Sequence, residues 1–182
     1  MRDLSAARSL PPVTVSAAVW ALPPAVRYVL RGGPAVRSAA QAALGFAVPE
    51  TACRAGGDGE RGAALWLGPD EWLLIASVKW AAALPAMLNR ALAPLPHSLV
   101  DVSHRQTALA VAGEHAAMLL AAGCPLDLDE RAFPVGMCTR TLLAKAQIVL
   151  WRTGAFEFRV EVWRSFAAYA SQFLAEAARG II

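Results

Sequence analysis

The chain has 182 residues, of which 57% are hydrophobic, and its 17 basic and 14 acidic residues give a formal net charge of +3. This length suffices for one domain with a substantial core, and a hydrophobic content above one half argues against disorder. The basic residues are scattered rather than gathered into one stripe, so nucleic-acid binding is not expected.

The mean hydropathy of +0.42 does not come from a membrane segment. The longest apolar stretch, Trp80 to Leu88, contains Pro85 and is far shorter than the roughly 20 residues that a spanning helix needs. The N-terminus shows no continuous apolar core of the signal-peptide kind. We therefore expect a cytoplasmic protein, whose apolar surplus either lies under another subunit or reflects an alanine-rich composition.

The first 25 residues, which include the proline pairs Pro11-Pro12 and Pro23-Pro24, are predicted to form an N-terminal arm. Only weak strand character lies between the two proline pairs. Trp20 belongs to this arm, and a regular sheet is not expected to include it. An aromatic side chain there would suit the anchoring of a partner, because aromatic anchors dominate interface energies. The alternative is an arm that folds back on its own domain.

The following residues predict alternating strands and helices. In chain order these are a strand at 26–31, a helix from 35 to about 44 ending at Gly45, strands at 63–67 and 71–76 joined by a turn at 68–70, and a helix at 79–92. The glycine-rich stretch 56–62 is predicted to be a flexible polar loop.

The second half repeats this order. It predicts strands at 98–102 and 107–112, a helix from 114 to about 122, strands at 137–143, 147–152 and 156–162, and a closing helix that Ser165 caps and that runs to about 178. The pseudo-repeats 26–97 and 98–182 each have the split β-α-β pattern of a ferredoxin-like unit. We predict an α+β fold in which residues 26–182 form a single domain.

Motifs in the second half resemble a folate-binding domain. They are the string Val100-Asp-Val-Ser-His104, a glycine about nine residues later at Gly113, and a closing strand from Phe156 to Val162. In this combination they are similar to the folate-binding domain of the glycine-cleavage T protein. The resemblance implies one T-protein-like fold built from the two tandem units.

Over roughly residues 26–178 the chain resembles a narrower family, the gamma subunit of heterotetrameric sarcosine oxidase. The resemblance rests on the segments 66–74, 123–128 and 162–167. It implies a complex that oxidatively demethylates sarcosine, passes the one-carbon unit to tetrahydrofolate and reduces oxygen to hydrogen peroxide. It also implies FAD, FMN and NAD on the alpha and beta subunits and zinc on the delta subunit, with no cofactor on this chain.

Asp127 is the one weak candidate for a cofactor-binding residue. It falls about where the T protein places an important aspartate, but Leu126 stands where that family has asparagine. The leucine suggests a degenerate folate pocket. The simpler interpretation of Asp127 is a loop carboxylate that accepts hydrogen bonds from nearby backbone amides.

No residue is predicted to be catalytic or to bind metal. Asp101, Ser103 and His104 adjoin along one strand, where neighbouring side chains point to opposite faces, so they do not form a hydrolytic triad. Asp101 and Ser103 are instead expected to tie down the turn that follows. His97 and His115 are too widely spaced for a zinc site.

The remaining candidate motifs also favour structural roles. Cys53, Cys124 and Cys138 form neither a disulfide framework nor a metal-binding pair and are expected to be buried reduced thiols. The glycine runs at 32–33 and 56–59 lack the rest of a phosphate-binding loop.

The leading hypothesis is a non-catalytic gamma subunit that assembles with alpha, beta and delta subunits. The first alternative is a stand-alone tetrahydrofolate-binding or aminomethyltransferase-like protein. The second is an unrelated scaffold module that pairs with itself.

Overall fold

A computed structural model describes residues 17–57 and 61–180, which form ten strands and four α-helices. Most of the predicted arm, with Pro11-Pro12, and residues 58–60 of the predicted polar loop lie outside the described residues. The elements are β1 (Ala18–Ala21), β2 (Ala25–Gly32), α1 (Pro34–Leu44), β3 (Ala55–Gly57), β4 (Gly62–Gly68), β5 (Glu71–Ser77), α2 (Ala83–Leu92), β6 (His97–Asp101), β7 (Gln106–Ala112), α3 (Ala116–Ala121), β8 (Cys138–Leu143), β9 (Ala146–Gly154), β10 (Glu157–Trp163) and α4 (Ala167–Arg179).

The strands form two five-stranded antiparallel sheets with equivalent strand orders. The first sheet has the order β6-β2-β5-β4-β3, and the second has the order β1-β7-β10-β9-β8. In the first sheet, β2 lies between the edge strand β6 and β5, the second strand of the β4-β5 hairpin. In the second sheet, β7 lies in the same way between the edge strand β1 and β10, the second strand of the β9-β10 hairpin. This equivalence confirms the predicted α+β fold of two ferredoxin-like units.

The edge strands connect the two units. Strand β6, which lies almost wholly in the predicted second repeat, pairs with β2 in the first sheet. Strand β1, within the predicted arm, pairs with β7 in the second sheet and places Trp20 opposite Ala110. The expectation that Trp20 lies outside a regular sheet is wrong, because β7 supplies a pairing partner distant in sequence. The division into an arm (1–25) and one domain (26–182) stays a prediction.

The molecule has four layers in the order helix, sheet, sheet, helix. Helices α1 and α2 pack on one face of the first sheet, and α3 and α4 pack on one face of the second. Along β5, for example, Trp72 and Leu74 face the helices, while Leu73 and Ile75 join an apolar cluster with residues of the second sheet. The inner faces of the two sheets thus pack against each other.

Three predicted helix starts need correction. The chain forms a 3-10 turn at Val78–Trp80, and α2 begins at Ala83, because Pro85 is tolerated only in a first helical turn. A second 3-10 turn contains Ser165, so α4 begins at Ala167 without a side-chain cap. Helix α3 begins at Ala116 and spans only six residues.

The end of α1 depends on Gly45. This residue has a φ of 73° and donates its backbone amide to the carbonyl of Gln41. We predict that Gly45→Ala lowers the free energy of unfolding by about 1 to 2 kcal/mol, because a Cβ is disfavoured in the left-handed region.

Urea denaturation measures this change. Gly33→Ser is the matched control, because Gly33 has a φ of −76°, no heavy atom lies within 4 Å of the position that a Cβ would take there, and serine is a good N-cap residue. Equal stability losses in the two variants would contradict the role assigned to Gly45.

Candidate functional site between the two sheets

A buried ion pair joins the two sheets at the centre of the molecule. Arg27 on β2 donates from Nε to Glu161 Oε2 on β10 at 2.6 Å, and from Nη2 to Oε1 at 3.3 Å. The exposed fractions of the two side chains are 2% and 0%. Arg159, also on β10, donates from Nε to Glu161 Oε1 at 2.7 Å. The Glu161 carboxylate therefore accepts hydrogen bonds from two guanidinium groups.

The backbone of Arg27 is fixed as firmly as its side chain. Its amide donates to Ser103 Oγ at 2.9 Å, and its carbonyl accepts from the amide of Val102 at 2.9 Å. Ser103 and Val102 lie in the connection between β6 and β7, where the chain passes from the first sheet to the second. The ion pair is therefore held in place by the crossover itself.

Apolar side chains surround this ion pair. The cluster between the sheets consists of Ala63, Leu65, Leu73, Ile75, Val102, Cys138 and Val149. Burial raises the pKa of the Cys138 thiol to about 12, so this cysteine stays protonated. Its Sγ lies 3.7 Å from the carbonyl oxygen of Trp66. The space between the sheets is thus mostly apolar around the ion pair.

Two clefts enter the space between the sheets. The Trp163 cleft has a volume of about 620 Å³, and the Trp151 cleft has about 590 Å³. Residues that define the Trp163 cleft are Val100, Arg105, Gln106, Arg140, Leu142 and Trp163. Residues that define the Trp151 cleft are Pro23, Pro24, Ile75, Val135, Trp151 and Arg159.

The Trp163 cleft has an apolar rim that is open to solvent. Val100, Leu142 and Trp163 are 50%, 44% and 43% exposed. The Arg105 guanidinium lies 5.3 Å from the centre of the Trp163 ring, in cation–π geometry. Large exposed apolar side chains around one depression are typical of a protein-binding surface.

Asp101 and Ser103 stabilise the turn after β6, as predicted. Asp101 Oδ1 accepts from the amide of Ser103 at 2.8 Å. Hydrogen bonding by the Ser103 side chain is the main cause that lowers the pKa of Asp101, and the Tyr28 hydroxyl adds to it. The folded chain thus favours ionised Asp101, and this contribution is lost as the pH falls through that pKa.

Asp127 lies exposed in the loop after α3. Its Oδ1 accepts from the backbone amide of Asp129 at 2.9 Å, which is the capping bond expected of a loop carboxylate. Neither the Trp163 cleft nor the Trp151 cleft includes Asp127 among its lining residues. The hydrogen bond of Asp127 is therefore a contact within its own loop.

Cys53 and Cys138 are neighbours, because the backbone amide of Cys138 donates to the carbonyl of Cys53 at 2.9 Å, but they belong to no metal-binding cluster of the described residues. Over residues 17–57 and 61–180, no three His, Cys, Asp or Glu side chains lie close enough to hold a metal ion. All three cysteines are free thiols, and the expected burial holds for Cys124 and Cys138, whereas Cys53 is only half-buried. None of the helices in the same ranges is long and apolar enough to cross a membrane.

Arg27, Glu161 and Arg159 are not among the residues that sequence motifs single out. The sequence carries little signal for them, because β2 also contains Arg31 and β10 alternates Glu157, Arg159 and Glu161 with apolar residues. Such alternation is typical of a strand with one solvent-exposed face, whereas here that face is turned toward the other sheet. Their pairing with each other across 134 positions is not visible in the sequence.

Comparisons with known proteins cover almost the whole chain. Residues 31–180 match the sequence profile of the sarcosine oxidase, gamma subunit family. The chain is 36% identical over 145 residues to the sarcosine oxidase subunit gamma of Corynebacterium sp. (strain U-96), a match that covers 80% of this chain and 70% of the relative.

Solved structures of known proteins share the fold. A chain of the heterotetrameric sarcosine oxidase from Corynebacterium sp. U-96 superposes with a TM-score of 0.84 and 32% identity, covering 90% of this chain and 84% of that chain. The glycine cleavage system aminomethyltransferase T from Bartonella henselae superposes with a TM-score of 0.66 and 14% identity, covering 87% of this chain and 45% of that chain. The second match shows the fold alone and confirms the predicted T-protein-like architecture.

We predict that Glu161→Gln lowers the free energy of unfolding by about 3 kcal/mol or more. The substitution leaves the buried guanidinium of Arg27 and the half-buried guanidinium of Arg159 without a counter-charge, which is costly when one partner of a buried pair is removed. Chemical denaturation measures the loss.

Glu176→Gln provides the matched control. Glu176 pairs with Arg179 on α4, and both side chains are 73% exposed, so its loss is expected to change stability by less than about 0.5 kcal/mol. Similar values for the two variants would show that the ion pair between the sheets does not hold them together.

Proposed function

The chain belongs to the sarcosine oxidase gamma subunit family, as its motifs predicted, and we propose that it serves as a non-catalytic subunit of a sarcosine oxidase complex. The observation that carries this proposal is the superposition of nearly the whole chain on a chain of the heterotetrameric enzyme. In this role the protein supports the chains that carry out the oxidation.

The proposed complex contains alpha, beta and delta partners in the cytoplasm. FAD, FMN and NAD would be bound by the alpha and beta subunits and zinc by the delta subunit, with sarcosine and tetrahydrofolate as substrates of the assembly. The gamma chain would contribute surface and rigidity, since its inter-sheet centre is filled by Arg27, Glu161 and apolar side chains.

The rim of the Trp163 cleft is the surface that suits a partner best. It combines exposed Val100, Leu142 and Trp163 with the guanidinium groups of Arg105 and Arg140, which line the same cleft. Aromatic and arginine side chains are enriched at energetically important interface positions. Covering this rim would remove apolar surface from water and so stabilise the complex.

Trp20 remains a second predicted anchor. Its side chain is 45% exposed although its backbone belongs to the sheet. An aromatic side chain on an edge strand can contact a partner without any rearrangement of the fold.

Co-expression with the alpha, beta and delta chains tests the proposed function. We expect one stable complex with the yellow colour of bound flavin, beside a colourless isolated chain. Visible absorption and co-purification through a tag on this chain measure the outcome. A chain that stays alone in the presence of all partners would contradict the proposal.

The docking surface is tested separately by Trp163→Ala, which we expect to weaken association at least tenfold, a typical effect for an aromatic anchor. Phe156→Ala is the matched control, since Phe156 is 59% exposed and precedes the opposite end of β10. If Phe156→Ala dissociates the complex while Trp163→Ala leaves it intact, the surface is wrongly assigned but the subunit role stands. Trp20→Ala reports on the second anchor in the same assay.

A stand-alone folate-binding protein is the alternative, supported by the T-protein-like fold. We predict that tetrahydrofolate produces no binding heat and no shift in melting temperature with this chain, because Asp127 lies outside both clefts. A ligand that binds only the native state must stabilise it by mass action.

Asp127→Asn is the control for this titration. A rise in melting temperature with tetrahydrofolate that Asp127→Asn abolishes would favour the alternative function. The oligomeric state of the isolated chain, measured by light scattering, also distinguishes a self-pairing scaffold from a subunit that requires different partners.

A further inference from the structure

Two exposed arginines beside the Trp163 cleft have no carboxylate partner. Arg105 lines the cleft, and Arg164 follows Trp163 in the chain. Both side chains are exposed, and neither forms an ion pair with a described residue. Exposed arginines elsewhere, such as Arg131 and Arg179, pair with a carboxylate of this chain. The positive charge beside the Trp163 cleft is therefore available to another molecule.

The two arginines start from neighbouring points of the backbone. The amide of Arg164 donates to the carbonyl of Arg105 at 2.8 Å. This hydrogen bond continues the pairing of β10 with β7, in which Trp163 lies opposite Gln106. The strand register therefore keeps both arginines next to Trp163.

The contact between Arg105 and Trp163 leaves the hydrogen-bond donors of Arg105 unused. The guanidinium carbon lies 5.3 Å from the centre of the Trp163 ring, and this contact is an attraction to the ring rather than a hydrogen bond. A guanidinium presents a planar fork of N–H donors that matches a carboxylate. Because the Arg105 side chain is exposed, a carboxylate that approaches from solvent can reach these donors.

The carboxylates of this chain near the cleft already have other donors. Glu161 and Glu71 are the acidic residues in the described lining. Glu161 accepts from two arginines, and Glu71 forms an ion pair with Arg140. Asp101 Oδ1 accepts from the amide of Ser103 at 2.8 Å. A carboxylate from another molecule would thus meet an unpaired guanidinium without breaking an existing ion pair.

Apolar side chains adjoin this positive charge. Val100, Leu142 and Trp163 form the exposed rim, and Phe166, in the 3-10 turn after β10, is 40% exposed. A partner that covers these side chains removes apolar surface from water. Arginine is well suited to an ion pair at such a place, because its guanidinium is more weakly hydrated than an ammonium group.

On the basis of the subunit role proposed above, we propose that the Trp163 cleft binds an acidic segment of a partner subunit. A carboxylate of that segment accepts from the Arg105 guanidinium, and an apolar side chain beside the carboxylate packs on Trp163, Val100 and Leu142. Arg164 adds a second positive charge that attracts the same segment. Charge complementarity of this kind favours the correct partner over others.

Zero-length cross-linking in the co-expressed complex of all four chains tests this assignment. Arg105→Lys keeps the charge and supplies an amine, which a water-soluble carbodiimide joins to a carboxylate in direct contact. We expect a cross-link to an Asp or Glu side chain of a partner subunit, identified by mass spectrometry of the digested complex. Arg90→Lys is the matched control, since Arg90 is exposed on α2, outside the cleft and without an ion pair to a described residue.

Charge reversal provides a second measurement. We expect Arg105→Glu to raise the dissociation constant of the complex about tenfold or more, as for the loss of a charge-assisted hydrogen bond. This effect should become smaller at high salt, which screens the repulsion between the two carboxylates. Arg90→Glu makes the same charge change and should leave the dissociation constant unchanged. Dilution of the co-purified complex, followed by native mass spectrometry, gives these constants.

The proposal is overturned if the parent complex is intact but Arg105→Lys cross-links to partner subunits no more than Arg90→Lys does. Equal dissociation constants for Arg105→Glu and Arg90→Glu would overturn it too, and in both cases the subunit role stands. Cross-links from Arg105→Lys only to carboxylates of this chain, such as Asp101, would also overturn it. Failure of the parent chain to form any complex would contradict the subunit role itself, and the proposal with it.

Discussion

The ion pair between Arg27 and Glu161 is the constraint on which the rest of the structure depends. It joins β2 of one sheet to β10 of the other inside a cluster that is otherwise apolar. A buried charge is tolerated only with a partner in good geometry, so each sheet has to present its charged residue at one position. The ion pair thereby fixes how the two sheets face each other. Apolar packing is non-directional and therefore constrains this orientation less.

The exchange of edge strands makes the two ferredoxin-like units interdependent. The second unit obtains its edge strand β1 from the N-terminal side of the first, and β6 completes the first sheet immediately before the chain enters the second. Neither sheet is complete from one contiguous pseudo-repeat. The repeats that the sequence suggests therefore share edge strands, and the ion pair lies beside the crossover between them.

The two clefts follow from this architecture and differ in chemistry. Residues of both sheets line each cleft, yet the Trp163 cleft has an open apolar rim and paired charges, such as Arg140 with Glu71. The Trp151 cleft is lined mostly by apolar side chains together with Trp151 and Arg159, with no carboxylate among the described residues of its lining. The exposed rim of the Trp163 cleft is therefore the surface that suits a protein partner better.

The sequence by itself determined the family and the central strands of both sheets. Periodic apolar residues and turn glycines predicted the central strands of both sheets, because these signals act within a few residues. The segment 66–74 and its counterparts in the second half identified the family from short motifs. Only the tertiary structure placed Trp20 in a sheet, paired Arg27 with Glu161, and brought Trp151 and Arg159 to one cleft. Strand pairing and burial are contacts between distant residues, and their free energy depends on neighbours that no local pattern specifies.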